Sequence, residues 1–159
     1  MLAGQLLPST GVVTSHTEAR IGYLQQESSW PANQLVADVY EIHVQRLTSR
    51  GMLASHEAMA LSDLGLLRTE QFGLRVGELS MGQQRRLELA LVLARRPNVL
   101  LLDEPTNHLS LQLVEELTAA LEVTEVAVVL AIHDRQMLRD TQHWSALQLS
   151  SAPRVERLA

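Results

Sequence analysis

The sequence predicts an α/β domain built on a parallel sheet. Residues 99–102 form a continuous apolar run of the kind found in a parallel strand covered on both faces, and residues 126–132 read as a second buried strand. Segments of helical period lie before, between and after these runs. The composition agrees: 46% hydrophobic, only 3% aromatic, and rich in Leu, Ala and Val. At 159 residues the chain is long enough for one domain with a real core.

Composition also excludes several classes. There is no cysteine, so disulfides and thiol catalysis are out. A net charge of −5 gives no support for a dominant nucleic-acid-binding surface, and no DNA partner is expected. No apolar run approaches the roughly 20 residues that span a membrane. The first residues lack the charged and apolar regions of a signal peptide. The expectation is a soluble cytoplasmic protein with no direct membrane insertion.

Taken in order, residues 1–11 read as a helix end and a turn at Pro8, Ser9, Thr10 and Gly11, and residues 12–14 as a short strand. Residues 20–25 alternate as a strand, with Ile21, Tyr23 and Gln25 on one face and Gly22 and Leu24 on the other. A loop with Trp30 and Pro31 follows. Residues 34–50 read as a helix with the stripe Leu35, Val39, Ile42 and Leu47, stopped by Gly51. Shorter helices are expected at 55–61 and 63–67. Gly73 and Gly77 then mark the loop leading into Ser80.

Ser80 and Gln83 fit a capping box at the start of the next helix. Its apolar positions are Leu87, Ala90, Leu91 and Ala94, while Arg85, Arg86, Glu88, Arg95 and Arg96 read as a local polar face. Pro97 ends it. The first turn carries backbone N–H groups with no helical partner, and Gly82 leaves them uncovered, which makes an anion site. An ordinary capped helix would show the same pattern.

The strand at 99–102 is more informative. It ends in adjacent carboxylates, Asp103 and Glu104, where open α/β sheets place their ligands. An aspartate there can hold Mg²⁺ through water, and the next carboxylate can orient an attacking water. The alternative is a solvated strand end. Pro105 blocks continuation, residues 106–110 form a turn, and Ser110 is placed to cap a helix at 111–122 with Glu115 and Glu116 near its start. The strand at 126–132 ends at His133, and Asp134 caps a helix containing Met137 and Leu138. A last strand is expected at 144–149.

LSMGQ at 79–83, followed by LLLDEP at 100–105, resembles the signature helix and Walker B strand of ABC-type ATPases. The pair in this order and spacing is specific, whereas either alone is weak. TNHL at 106–109 is similar to the ABC-F branch, soluble tandem ATPases of which many act on the ribosome. The resemblance covers nearly the whole chain. It implies a P-loop NTPase core of the ABC ATPase type, with a partial parallel sheet and a helical subdomain. In this scheme residues 1–26 run from the end of the Walker A helix to the Q-loop, and 27–79 form the helical subdomain. Residues 80–159 carry the signature helix, Walker B, the D-loop, the switch histidine and the C-terminal strand.

The phosphate-binding loop of the family, G-x-x-x-x-G-K[ST], does not occur in the 159 residues. The resemblance therefore implies that an N-terminal portion is missing, and that its strand would sit beside the one ending at His133, leaving that edge exposed. It also implies ATP and Mg²⁺ as ligands and a second ABC ATPase domain as partner, in the same parent chain or a homodimer, with the ribosome as a further partner. Asp103 and the Q-loop glutamine Gln26 (Gln25 being the alternative) would hold Mg²⁺. Glu104 would polarise water, and His133 and Gln26 would sense the γ-phosphate. Ser80, Gly82 and Gln83 would grip the nucleotide of the opposite domain. Met81 replaces a glycine often found in the signature, and Ser110 replaces the usual D-loop aspartate. Without its phosphate-binding loop the isolated chain is expected to be inactive. Two other readings stay open: the ATP-binding subunit of a membrane transporter, and a non-catalytic half that lends only its signature helix. Intact Glu104 and His133 weigh against long-standing degeneracy.

Overall fold

The computed structural model describes residues 3–4, 6–25, 31–106, 111–122 and 125–146. Its elements are strand β1 (Ile21–Leu24), helix α1 (Val36–Ser49), helix α2 (Met81–Leu93), strand β2 (Val99–Asp103), helix α3 (Leu111–Glu122), strand β3 (Ala127–Ala131) and helix α4 (Arg135–Asp140). The three strands form one parallel sheet in the order β1-β2-β3, with Ile21 opposite Val99 and Val99 opposite Ala127.

One face of this sheet is packed. Gly22 and Leu24 are buried, Leu100 and Leu102 lie beneath Val114, Leu117 and Leu121 of α3, and Met137 of α4 is fully buried with them. The opposite face is the correction. Leu101 is buried, but Val129 is 44% exposed, and β3 alternates exposed and half-buried residues along its length. The expected second buried strand is thus only half-covered and, among the described residues, lies at the edge of the sheet, the edge the resemblance implied would be exposed. Its apolar run resembles that of β2 because both strands contribute to the packed face; periodicity does not tell whether an outer neighbour is present.

The second core gathers Val36, Val39, Tyr40 and Leu47 of α1 with Leu53, Leu61, Leu67, Val76 and Leu79, against Leu87, Ala90, Leu91 and Ala94 of α2. Leu89 and Val92, on another side of α2, pack against the sheet core. Helix α2 is therefore apolar on two sides and joins the two cores. In α1 the buried stripe is Val36, Val39, Tyr40 and Leu47; Leu35 and Ile42 of the expected stripe are 37% and 38% exposed. Val39 and Leu47 of the expected stripe are buried, while Val36 and Tyr40 take the places of Leu35 and Ile42; Tyr40 faces inward and donates its hydroxyl hydrogen to the Met59 carbonyl at 3.0 Å. The stop at Gly51 is a Schellman closure: φ is 68°, the Gly51 N–H reaches Thr48 O at 3.0 Å and the Met52 N–H reaches Leu47 O at 2.9 Å.

Between α1 and α2 the expected helices at 55–61 and 63–67 are instead short 3-10 turns, Ser55–Glu57 and Leu61–Leu64, followed by two more at Thr69–Gln71 and Val76–Glu78. Side chains cap the starts of three of these four turns: Glu57 on Ala54 N–H, Gln71 on Arg68 N–H and Glu78 on Arg75 N–H. Each satisfies one backbone donor of its turn. Near the N-terminus the described residues form neither the expected helix end nor a strand at 12–14, and Leu6, Leu7 and Val12 are exposed. An apolar pair such as Val12 and Val13 becomes a strand only beside a sheet edge that can pair with it. Residues 144–146 are not a strand, and 147–149 lie outside the described residues.

Candidate nucleotide site

The carboxyl ends of β1, β2 and β3 lie side by side, so the topology brings Asp103, Glu104 and His133 together. Asp103 ends β2, and its Oδ2 accepts the Tyr23 hydroxyl at 3.2 Å from β1. Burial, together with the charge of Asp103 and this hydrogen bond, raises the Tyr23 phenol above its ordinary pKa. Glu104 leaves the strand with φ of 46°, in the left-handed region that a non-glycine residue rarely occupies. Its N–H is held by Ala131 O at 2.8 Å. That turn swings the carboxylate towards β3: Oε2 accepts the His133 N–H at 3.4 Å, and Oε1 lies 3.4 Å from His133 Nε2. The glutamate side chain is 14% exposed and the histidine 95%, so the acid is held and the imidazole faces outward. Strain at such a position costs about 1–3 kcal/mol and persists only where the surroundings impose it.

Helix α2 begins as expected. Ser80 Oγ accepts the Gln83 N–H at 3.3 Å, and Gln83 Oε1 accepts the Ser80 N–H at 2.8 Å. Met81 and Gly82 occupy the first turn, and Met81 is 58% exposed. Gln84 pins this end by donating to Val76 O and Leu79 O at 3.1 and 3.2 Å.

Arg85 is not part of a polar surface face. It is 7% exposed, as is Glu88, and the two form a buried ion pair at 2.8 Å. The Arg85 guanidinium also donates to the carbonyls of Gln25, Asp103 and Glu104. Arg85, Glu88, Gln84 and Tyr23 are the site residues that sequence reasoning missed. A charged pair at i, i+3 flanked by Leu87 and Ala90 is consistent with burial, but nothing local shows it. Gln26, and the D-loop residues 107–110 with Ser110, lie outside the described residues.

The residues present fit a magnesium–nucleotide pair in kind. Asp103 is a hard oxygen donor at an open strand end. An ion bound mainly by phosphate oxygens and water needs only one or two such carboxylates from the protein.

The family profile described as ABC transporter matches residues 1–107. The tylosin resistance ATP-binding protein TlrC of Streptomyces fradiae is 44% identical over 138 residues, covering 86% of this chain and 24% of that protein. The ATP-binding cassette sub-family F member 3 of Mus musculus is 31% identical, covering 87% of this chain and 19% of its own length. Among solved structures, ribosome-bound archaeal Pelota and ABCE1 gives a TM-score of 0.62 at 22% identity, covering 88% of this chain and 23% of that one; the likeness is one of fold. The chain thus spans less than a quarter of the length of these curated relatives.

Proposed function

The chain belongs to the ABC transporter family as an ABC-F-like ATP-binding domain, and from that footing we propose that it is one half of a tandem ATPase acting on the ribosome. The observation that carries the ATPase part is the Glu104–His133 arrangement: a strained backbone turns a nearly buried carboxylate onto a histidine at the end of the neighbouring strand. The antibiotic-resistance relative and the sub-family F relative motivate the ribosomal part, together with the TNHL wording at 106–109. Resistance to tylosin is a property of that relative, and ribosome protection by this chain is part of the proposal.

In this reading Glu104 accepts a proton from the attacking water, and His133 and Gln26 keep that water in line with the γ-phosphate. Asp103 and Gln26 hold Mg²⁺, which when bound neutralises charge on the phosphate oxygens. Ser80, Gly82 and Gln83 offer the α2 N-terminus to the γ-phosphate held by the opposite domain. The three stretches 1–26, 27–79 and 80–159 act as one partial cassette.

Binding, turnover and co-sedimentation test it. The 159-residue chain alone, which contains no G-x-x-x-x-G-K motif, is expected to bind a fluorescent ATP analogue weakly and release negligible phosphate. In the tandem protein, Glu104→Gln should lower kcat by about 10²–10⁴-fold, the usual size of a lost general base. The same variant with ATP should co-sediment with ribosomes. Sedimentation with a membrane fraction instead would favour a transporter subunit, and turnover unaffected by Glu104→Gln would remove the glutamate from the mechanism.

A further inference from the structure

We propose that Arg85 is the positioning residue for Glu104: from the signature helix it fixes the backbone turn that aims the catalytic carboxylate. The word catalytic rests on the ATPase reading above, whereas the tie itself rests on geometry alone.

Glu104 sits in a left-handed conformation, and both of its backbone polar groups are held. The N–H goes to Ala131 O on β3 at 2.8 Å. The carbonyl accepts from Arg85 Nη2 at 3.4 Å, which also reaches Asp103 O at 3.3 Å. Nη1 of the same guanidinium donates to Gln25 O at the end of β1 and to Glu88 Oε2. One side chain on α2 therefore clamps the ends of two strands.

The clamp is costly if it serves only packing. A buried cation with one carboxylate partner contributes little stability over an apolar side chain of similar size. Arg85 Nε is moreover buried without an acceptor among the described residues, a further penalty. What the guanidinium supplies is a planar, multi-donor fork spanning carbonyls of two strands, which neither an apolar residue nor a lysine reproduces.

The test is site-resolved amide exchange by NMR on the 159-residue chain. In Arg85→Met the Glu104 amide, and the His133 amide that donates to the Glu104 carboxylate, should exchange about tenfold faster, while Leu101 and Leu102 in β2 and Val39 in α1 keep their rates. Arg85→Lys should fall between. Unchanged Glu104 and His133 amides in a folded Arg85→Met overturn the proposal. So does uniform acceleration through β2 and α2, which would make Arg85 an ordinary packing residue. If Arg85→Met does not fold, Glu88→Gln and Arg85→Lys decide: normal Glu104 exchange in either overturns it, and selective acceleration supports it. In the tandem protein Arg85→Lys should lower kcat severalfold with KM unchanged. A wild-type protein without turnover would defeat the ATPase reading and leave the exchange result standing.

Discussion

Ser80 and His43 show what a single side chain does in this molecule. Ser80 closes the first turn of α2, and both halves of its capping box are made. Ser80→Ala removes one acceptor and leaves the Gln83 N–H to water. It should cost about 0.5–1 kcal/mol, the low end for a cap because the site is exposed, measured as a shift in urea midpoint. His43 is half-buried between α1 and α2, and its Nε2 has no partner among the described residues. Burial first, then the charges of Arg95 and Arg46, lower its pKa, and a hydrogen bond to the Leu91 backbone only partly opposes them. The folded state thus prefers neutral His43, whereas the unfolded chain takes up a proton near pH 6.5. This contribution to stability is full above about pH 6.5 and falls as pH drops through that value towards the lower folded pKa. His43→Gln should flatten part of the acid slope in denaturant titrations at pH 7.5 and 5.5; an unchanged slope would rule the histidine out. At this scale the sequence was readable at caps beside a strongly periodic helix or a bounded strand, as at Ser80 with Gln83 or Asp134 with Met137. It was unreadable for Tyr23, whose partner Asp103 lies 80 residues away, and for Arg85, whose Gln25 partner lies 60 away.

Helix α2 carries the element-scale logic, since it closes one core with Leu87, Ala90 and Leu91 and meets the sheet through Leu89 and Val92. Its approach to β1 depends on Gly22. A Cβ there would lie 2.8 Å from Val92 Cγ1 and 3.0 Å from Pro97, and neither the branched valine nor the proline ring yields easily. Gly22→Ala should therefore destabilise by about 1–3 kcal/mol, as overpacked cores do; a thermal midpoint equal to wild type would mean that α2 can move off the strand. Strands β1 and β2 and helices α1, α2 and α3 were legible within a residue or two, because each has a period or a bounded apolar run. The stretch from Ser55 to Glu78 was not. Its buried apolar residues Leu61, Leu67 and Val76 are spaced too far apart to make a helical stripe, and its turns are only three or four residues long.

Across the molecule, stability is distributed between a packed face and an open one. Strand β3 pairs with β2 on one side, and among the described residues no strand pairs with its other side. Val129 stands 44% exposed there, and Ala127 and Ala131 flank it on the same face. An unpaired, apolar strand edge is a template for another strand, and a net charge of −5 spread over the chain gives this small neutral stretch little local repulsion. The isolated chain should accordingly self-associate as its concentration rises. Val129→Lys places a charge on the open face without touching the core, so it should suppress association in light scattering while shifting stability by no more than about 0.5 kcal/mol. Val128 is the control, one residue away but packed against the Leu100 and Leu102 cluster. Val128→Lys buries an unpaired charge and should unfold the domain rather than solubilise it. Association that persists unchanged in Val129→Lys would move the sticky surface elsewhere, to the exposed Leu6, Leu7 and Val12 near the N-terminus. Suppression would identify the β3 edge as the place where a further strand adds to the sheet, beside the strand that presents His133 to Glu104.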